Sequence, residues 1–149
     1  LYLNKNNIVC DIEKTNPKIY EKALRIFKML NMNIIKMDSK SHDVHVAYVS
    51  HLSHISSFML GKTVIEKEKN EKNIFDLAGS GFESTVRLAK SSPSTWTPIF
   101  LQNKNNLVLA INEYISNLNQ IKEMIEENNY STLSSVLNNT NRIKQILIK

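Results

Sequence analysis

Two short apolar runs flank a helix-like segment within the first 40 residues, and this arrangement constrains the fold more than any other part of the chain. The runs "NNIVCDI" (6–12) and "NMNIIKMD" (31–38) each have the length and the polar boundaries of a β-strand. Between them, apolar residues recur at close to a helical period, with Thr15 or Asn16 as the N-cap and Pro17 in the first turn. A strand, a helix and a strand at this spacing predict a βαβ unit with parallel strands. Because two strands do not form a stable sheet alone, we expect the other strands to lie upstream of this chain.

The remainder of the chain is predicted to be helical. The segment "DSKSHDVHVAYVSHLSHISSFMLG" predicts a helix that ends at Gly61. Its candidate N-caps are Asp38, Ser39 and Ser41. The charged run at 62–73 mixes both signs, which is typical of a solvated loop or a helix end.

Further helices are predicted after this charged run. A Gly-Ser-Gly turn at 79–81 leads into a short helical segment that ends before Pro93. The longest helix has Pro98 in its first turn and carries an apolar stripe as far as Ile125. A final helix covers roughly 131–148. The long stripe predicts either a homodimer formed through helices or an ordinary intramolecular bundle, and periodicity does not separate the two.

Composition limits the size and the partners of the protein. The 149 residues, 42% of them hydrophobic, suffice for one ordinary core, and no run approaches the roughly 20 apolar residues that span a bilayer. The net charge of +5 is scattered among segments of mixed sign, so neither nucleic acid nor a membrane is an expected partner. The single cysteine and an N-terminus without a signal pattern favour a cytoplasmic protein.

All four histidines lie within 13 residues, at positions 42, 45, 51 and 54. At about 100° per helical residue, His42 and His45 point to the opposite side of the predicted helix from His51 and His54. No cysteine or suitably spaced carboxylate completes a coordination sphere, so no metal site is expected.

His51 and His54 share a narrow stripe of small residues on the predicted helix. Apolar residues spread over roughly 200° of the wheel, which predicts a helix buried on most sides. The small residues allow close approach of a ligand or of another helix, and the two imidazoles offer polar contacts there. A pair of hydrogen-bonded structural histidines fits as well, but the stripe favours a ligand pocket. The stripe consists of Ala47, Ser50, His51, His54, Ser57, Phe58 and Gly61.

Arg87 is the second candidate site residue. In "GSGFESTVRLAK" it follows the Gly79 and Gly81 pair and lies among apolar residues. Its planar guanidinium could hold a carboxylate through two hydrogen bonds, whereas a surface arginine on an amphipathic helix would give the same pattern. The "GSG" turn is not a dinucleotide-binding fingerprint, because the third glycine and the preceding strand are absent.

Three motifs follow one another along the chain: Ser-His-Leu-x-His (50–54), Gly-x-Gly-Phe…Thr-x-Arg-x-Ala (79–89) and Ser-x-Pro-x-x-Trp…Ile-Phe-x-x-Asn (91–103). In this order and spacing they resemble the prephenate dehydrogenase family, and the likeness covers nearly the whole chain, weakening after about residue 125. The resemblance implies a mainly α fold class. A helical substrate-binding and dimerization domain (39–149) would follow the strand-helix-strand end of a Rossmann-type nucleotide-binding domain (1–38).

The resemblance also implies an activity. Members of the family are homodimers that oxidatively decarboxylate prephenate to 4-hydroxyphenylpyruvate, a step towards tyrosine, with NAD or NADP as cofactor. The family's glycine-rich cofactor loop and the histidine that polarises the substrate hydroxyl have no counterpart here. We therefore expect the catalytic and cofactor-binding residues to lie outside this chain, and the chain alone to be inactive. A start without methionine fits such an excised piece.

The substrate side of the family's site carries over residue by residue. Arg87 matches the arginine that clamps a prephenate carboxylate. Ser50, His51 and His54 match positions that line the pocket, and Gly81 is expected close by at the turn.

Three positions near these motifs complete the comparison. Ser84 stands where family members often have aspartate, which leaves the protonation of His54 open. Trp96 and Phe100 resemble helix-packing residues, and Trp96 is also a candidate neighbour of the substrate or of a tyrosine feedback site. The resemblance leaves open arogenate as the substrate and L-tyrosine as a feedback inhibitor. A non-catalytic helical dimerization or tyrosine-sensing module is the alternative from another functional class.

Overall fold

The structure is a computed structural model and describes residues 1–147. Strand β1 (Asn6–Cys10), helix α1 (Pro17–Met29) and strand β2 (Asn33–Met37) form the predicted βαβ unit. The two strands are parallel, with Asn6 opposite Asn33. Asn16 is the N-cap of α1, because its side-chain oxygen accepts a hydrogen bond from the Lys18 N–H at 3.0 Å.

Asp11 ties the end of β1 to the start of the next helix. Its backbone is left-handed (φ 49°), and its carboxylate accepts hydrogen bonds from the N–H and the hydroxyl of Ser39, both at 2.8 Å. A third hydrogen bond comes from Lys14 at 2.7 Å. The bond from Lys14 and then those from Ser39 favour the charged form and lower the pKa of Asp11 to about 2. Asp38 caps the following helix by accepting from the Ser41 N–H at 2.9 Å.

Helices make up the rest of the described chain. The α-helices after β2 are α2 (Ser39–Val46), α3 (Leu52–Glu68), α4 (Ser80–Thr85), α5 (Pro93–Gln102), α6 (Lys104–Glu126), α7 (Tyr130–Thr140) and α8 (Ile143–Leu147). A π-helical turn (Ala47–His51) joins α2 to α3, and a 3₁₀ turn (Arg87–Lys90) follows α4. The chain divides into two compact units, Leu1–Leu107 and Val108–Lys149. This architecture confirms the predicted fold class, a mainly α chain that begins with a strand-helix-strand unit.

Two predicted helix boundaries are wrong. Helix α3 does not end at Gly61 but continues to Glu68, because Gly61 lacks the positive φ that a glycine C-cap adopts. Gly61 instead lies where α3 approaches a neighbouring segment, since a Cβ added to it would be 3.9 Å from the Cβ of Ala89. The predicted longest helix is divided at Asn103 (φ −102°, ψ 29°), so Pro98 lies inside α5.

The predicted final helix (131–148) forms two helices, α7 and α8. Residue 148, where the prediction ended, lies outside the described residues. Among residues 1–147, no helix combines the length and the apolarity that crossing a membrane would require.

The small-residue stripe, and not the apolar arc, is the buried face of the segment from α2 to α3. Ala47, Ser57 and His51 are 0%, 2% and 8% exposed, respectively. Val49 and Met59, which belong to the arc, are 76% and 50% exposed, so the prediction of a helix buried on most sides is wrong. Small side chains allow neighbouring segments to approach the helix backbone closely, which explains why this face makes the contacts.

Candidate functional site

The π-helical turn sets the direction of the two candidate histidines. Helix α2 ends with the ordinary spacing of four, as the Ala47 N–H donates to the carbonyl of Asp43. The Leu52 N–H then donates to the carbonyl of Ala47, five residues back. One extra residue in this turn rotates everything after it by roughly 100° relative to α2. His51 is the last residue of the turn.

His51 is enclosed by side chains from α5 and from the break after it. Its ring meets Trp96 and Phe100 edge-on, with ring centroids 6.2 and 6.3 Å away. Its Nδ1 lies 3.3 Å from the amide nitrogen of Asn103. Burial lowers the pKa of His51 below its ordinary value of 6.5, and the nearby His54 lowers it further. The ring is therefore neutral at pH 7.

His54 is half-buried and stacks on Trp96, with ring centroids 3.4 Å apart and planes 25° from parallel. Its Nδ1 lies 3.0 Å from the carbonyl oxygen of Ser50. Because a carbonyl oxygen only accepts, the proton of the ring is on Nδ1, and Nε2 is an acceptor while the ring is neutral. We call His51, His54, Trp96, Phe100 and Asn103 the histidine cluster.

Arg87 is exposed at the start of its 3₁₀ turn. A buried side chain of α3 holds the backbone on both sides of it. The Ser57 hydroxyl donates to the carbonyl of Thr85 at 3.0 Å and accepts from the N–H of Ala89 at 3.1 Å. Those two residues lie two positions before and two positions after Arg87, so Ser57 fixes the segment that carries the guanidinium.

Gly81 lies on the exposed surface of α4. Its carbonyl accepts hydrogen bonds from the hydroxyls of Ser84 and Thr85, both at 2.9 Å, so the Ser84 side chain bonds within its own helix. A Cβ added to Gly81 would meet no atom within 4 Å. Within residues 1–147, no hydrogen bond or ring contact joins Gly81 or Arg87 to either histidine of the cluster.

An apolar groove of about 700 Å³ adjoins the histidine cluster through two shared residues, Trp96 and Phe100. Helix α3 contributes apolar side chains and two charged residues to the groove, and a third charged residue lies just beyond the end of this helix. Neither His51 nor His54 lines the groove, and the sequence did not predict it. The residues of α3 that line it are Ile55, Phe58, Met59, Gly61, Lys62, Ile65, Glu66 and, one position beyond the helix, Lys69.

The described residues do not form a metal or dinucleotide site. In residues 1–147, no group of three or more His, Cys, Asp or Glu side chains could hold a metal ion. A dinucleotide-binding loop needs glycines between its first strand and helix, where the backbone approaches the pyrophosphate. The connection from β1 to α1 has none, since the glycines of the chain are at positions 61, 79 and 81. The residues present therefore do not fit the nucleotide-binding role.

Asn103 and Ser57 position parts of the site, although the sequence predicts no individual role for either residue. Asn103 ends the Ile-Phe-x-x-Asn run of the third motif, which is the one signal that could have identified it. Ser57 belongs to the predicted stripe, but nothing in the sequence indicates that its hydroxyl bonds to a distant segment.

Comparisons with known proteins give a consistent result. The family model described as "Prephenate dehydrogenase, dimerization domain" matches residues 38–139. The prephenate dehydrogenase of Bacillus subtilis (strain 168) is 26% identical over 137 residues, which are 89% of this chain and 36% of that protein. The cyclohexadienyl dehydrogenase of Zymomonas mobilis is 29% identical over 90 residues, 60% of this chain and 31% of that protein.

A solved structure has the same fold. The crystal structure of prephenate dehydrogenase from Aquifex aeolicus in complex with hydroxyphenyl propionate and NAD+ superposes with a TM-score of 0.88 and 32% identity. The match covers 99% of this chain and 51% of that one, so the chain spans about half the length of the solved relative and about a third of the curated ones. The match to the family model covers more than half of the chain, and the chain therefore belongs to the prephenate dehydrogenase family.

Proposed function

We propose that this chain is the substrate-binding and dimerization part of a prephenate dehydrogenase. The complete enzyme oxidatively decarboxylates prephenate to 4-hydroxyphenylpyruvate in tyrosine biosynthesis, with NAD or NADP as the hydride acceptor. The observation that carries the proposal is the histidine cluster, in which the Ser-His-Leu-x-His motif meets aromatic residues of the third motif. Family membership and the names of the relatives support it.

The proposed division of labour follows the domains. Residues 1–38 would complete a nucleotide-binding domain, and residues 39–149 would form the helical domain. The start of the family match at residue 38 supports this boundary. The catalytic histidine and most of the residues that bind the cofactor would lie outside this chain. The chain alone would therefore be inactive. The absence of glycine between β1 and α1 and the shorter span relative to known relatives support this arrangement.

The proposed substrate pocket combines the guanidinium of Arg87 with the imidazoles of His51 and His54. Prephenate is a dianion, so its carboxylates need cationic or hydrogen-bonding partners. The side chain of Arg87 has no hydrogen-bond or ion-pair partner among residues 1–147, which leaves its planar guanidinium available to a carboxylate. His51 would offer a neutral imidazole and His54 its Nε2 to the substrate, while Ser50 and Gly81 would line the same pocket.

The test of the carboxylate clamp is the substitution Arg87→Ala in the complete protein. Loss of a charge-assisted bidentate contact of about 1.5–3 kcal/mol should raise the KM for prephenate by roughly 10- to 150-fold and leave the KM for NAD nearly unchanged. Lys90→Ala is the matched control, because Lys90 is an exposed cation on the same turn that is paired with Glu83 at 3.3 Å.

An Arg87→Ala enzyme with an unchanged KM for prephenate would contradict the clamp. The same assay, run with arogenate in place of prephenate, identifies the preferred substrate. A complete protein that oxidises neither compound, but binds L-tyrosine, would favour the non-catalytic sensing module instead.

We further propose a cytoplasmic homodimer formed through the helical domain, with L-tyrosine as a feedback inhibitor. The description of the matched family model supports the dimer. Exposed apolar side chains on α6, among them Leu109 (61%) and Ile125 (58%), also support it, because they provide surface for a partner to bury. Sedimentation equilibrium of the complete protein tests the dimer, and inhibition of prephenate oxidation by L-tyrosine tests the regulation.

A further inference from the structure

Asn103 connects His51 of the histidine cluster to the last turn of α2. It occupies the break between α5 and α6 and is half-buried. Its Nδ2 lies 2.7 Å from the carbonyl oxygen of Asp43 and 3.3 Å from Nδ1 of His51. Its Oδ1 accepts a hydrogen bond from the side-chain amide of Asn106 at 2.8 Å. One amide therefore contacts the backbone of α2, one helical turn before the π-helical turn, and the imidazole at the end of that turn.

These contacts determine which way the amide faces. A backbone carbonyl oxygen can only accept, so the nitrogen and not the oxygen of the Asn103 amide must face Asp43. The hydrogen bond from Asn106 requires the oxygen on the other side. The nitrogen that faces Asp43 also faces Nδ1 of His51, which must therefore be the acceptor. The proton of the neutral His51 ring is then on Nε2.

We propose that Asn103 is a positioning residue that holds His51 as the Nε2–H tautomer, so that the ring offers a hydrogen-bond donor to an anionic oxygen of the substrate. The proposed tautomer is a property of the protein without substrate. The proposal that the Nε2–H group binds the substrate rests on the proposed function. A donor that stays uncharged suits this site, because burial and the neighbouring His54 both oppose protonation of His51. Asp43 favours protonation and His42 opposes it, both more weakly than burial does.

The ¹⁵N spectrum of the ligand-free complete protein, labelled in its histidine rings, tests the tautomer directly. Protonated and bare ring nitrogens resonate far apart, and the signals of His51 are those that disappear in His51→Gln. At about pH 8, where the ring is neutral, we expect a bare Nδ1 and a protonated Nε2. A protonated Nδ1 in the unsubstituted protein overturns the proposal without the need for any variant.

Substitutions at Asn103 test the cause of the tautomer. Asn103→Asp replaces the donor with an acceptor and should move the ring proton to Nδ1. Asn103→Ala removes the donor and should give a mixture of both tautomers. The exposed neighbour Asn105 provides the matched control, and Asn105→Ala should keep the original pattern. If both Asn103 variants also keep the original pattern, Asn103 does not set the tautomer.

Steady-state kinetics test the link to the substrate. Loss of one well-positioned hydrogen bond in Asn103→Ala should lower kcat/KM for prephenate by about 2- to 10-fold. The KM for NAD should not change. An unchanged kcat/KM in a variant whose tautomer has shifted overturns the role of the donor. A complete protein without activity on prephenate contradicts the proposed function instead, and the tautomer of the free protein is still decided by its spectrum.

Discussion

The substitution Ser57→Ala tests whether one buried hydroxyl holds the segment that carries Arg87. The Ser57 side chain is on a residue that is 2% exposed, and it bonds both the Thr85 carbonyl and the Ala89 N–H. Alanine fits the same space but can make neither bond. The perturbation therefore removes two hydrogen bonds across the contact between α3 and the turn after α4 without creating a steric clash.

The two bonds do not contribute equally to the expected loss. The Ala89 N–H keeps a second acceptor, the carbonyl of Val86 at 3.0 Å, so loss of its hydrogen bond to Ser57 is partly compensated. Thr85 is the last residue of α4, and its carbonyl loses the donor that Ser57 supplied. The bond to Thr85 is part-buried, and a hydrogen bond of this kind contributes about 0.5–1.5 kcal/mol. With the smaller contribution of the bond at Ala89, we expect a decrease of about 1–2 kcal/mol in the free energy of unfolding. For a chain of this size, the melting temperature should fall by about 2–8 °C.

Thermal unfolding followed by circular dichroism measures this loss, with Ser56→Ala as the matched control. The Ser56 hydroxyl donates at 2.8 Å to the carbonyl of Leu52 in its own helix, so its removal should change stability by no more than about 0.5 kcal/mol. Hydrogen exchange should also become faster across residues 80–92 in Ser57→Ala, and not in Ser56→Ala. Equal melting temperatures for the two variants would refute the reasoning, because the bonds to Thr85 and Ala89 would then contribute nothing measurable.

Two further predictions concern single side chains. Because burial lowers the pKa of His51 below 6.5, the unfolded chain binds more protons near that pH than the folded chain does, so the contribution of His51 to stability should be full above pH 6.5 and decrease as the pH falls below it. Urea midpoints at about pH 7.5 and 5.5 should therefore differ more for the original chain than for His51→Gln, and an identical difference would contradict this. The buried hydroxyl of Tyr20 has no hydrogen-bond partner among residues 1–147, so Tyr20→Phe should raise the melting temperature by about 2–4 °C through a gain of about 1 kcal/mol. Tyr114→Phe is the matched control, because Tyr114 is exposed and its substitution should leave the melting temperature unchanged. A lower melting temperature for Tyr20→Phe would show that the Tyr20 hydroxyl has a hydrogen-bond partner.

The features that were predictable from the sequence depend on residues close to one another in the chain. The parallel strands and the caps at Asn16 and Asp38 follow from patterns within a few positions, and the structure confirms them. Gly61 shows the limit of such patterns. A glycine ends a helix when it adopts a positive φ, but it also serves where another segment comes close, and the approach of Ala89 depends on residues far along the chain.

The histidine cluster was only partly predictable for the same reason. His51 and His54 were identified as a pair, and the pair lies together in the structure beside Trp96. Asn103 is 52 residues from His51, and no local pattern indicates that their side chains meet. A helical wheel at 100° per residue also assumes a regular helix, so the π-helical turn between His45 and His51 makes the predicted angle between the two histidine pairs wrong by roughly 100°.

The π-helical turn has a further consequence for how this segment can vary. Deleting one residue from 47–51 would restore regular α-helical hydrogen bonding and should make the segment locally more stable, because a π-helical turn is the less favourable form. The same deletion would turn the two imidazoles by about a quarter of a revolution relative to α2, and His51 would no longer meet the amide of Asn103. The local geometry of the helix and the contacts of the histidine cluster thus favour different lengths of this segment, and the length that is present is the one that keeps the cluster together.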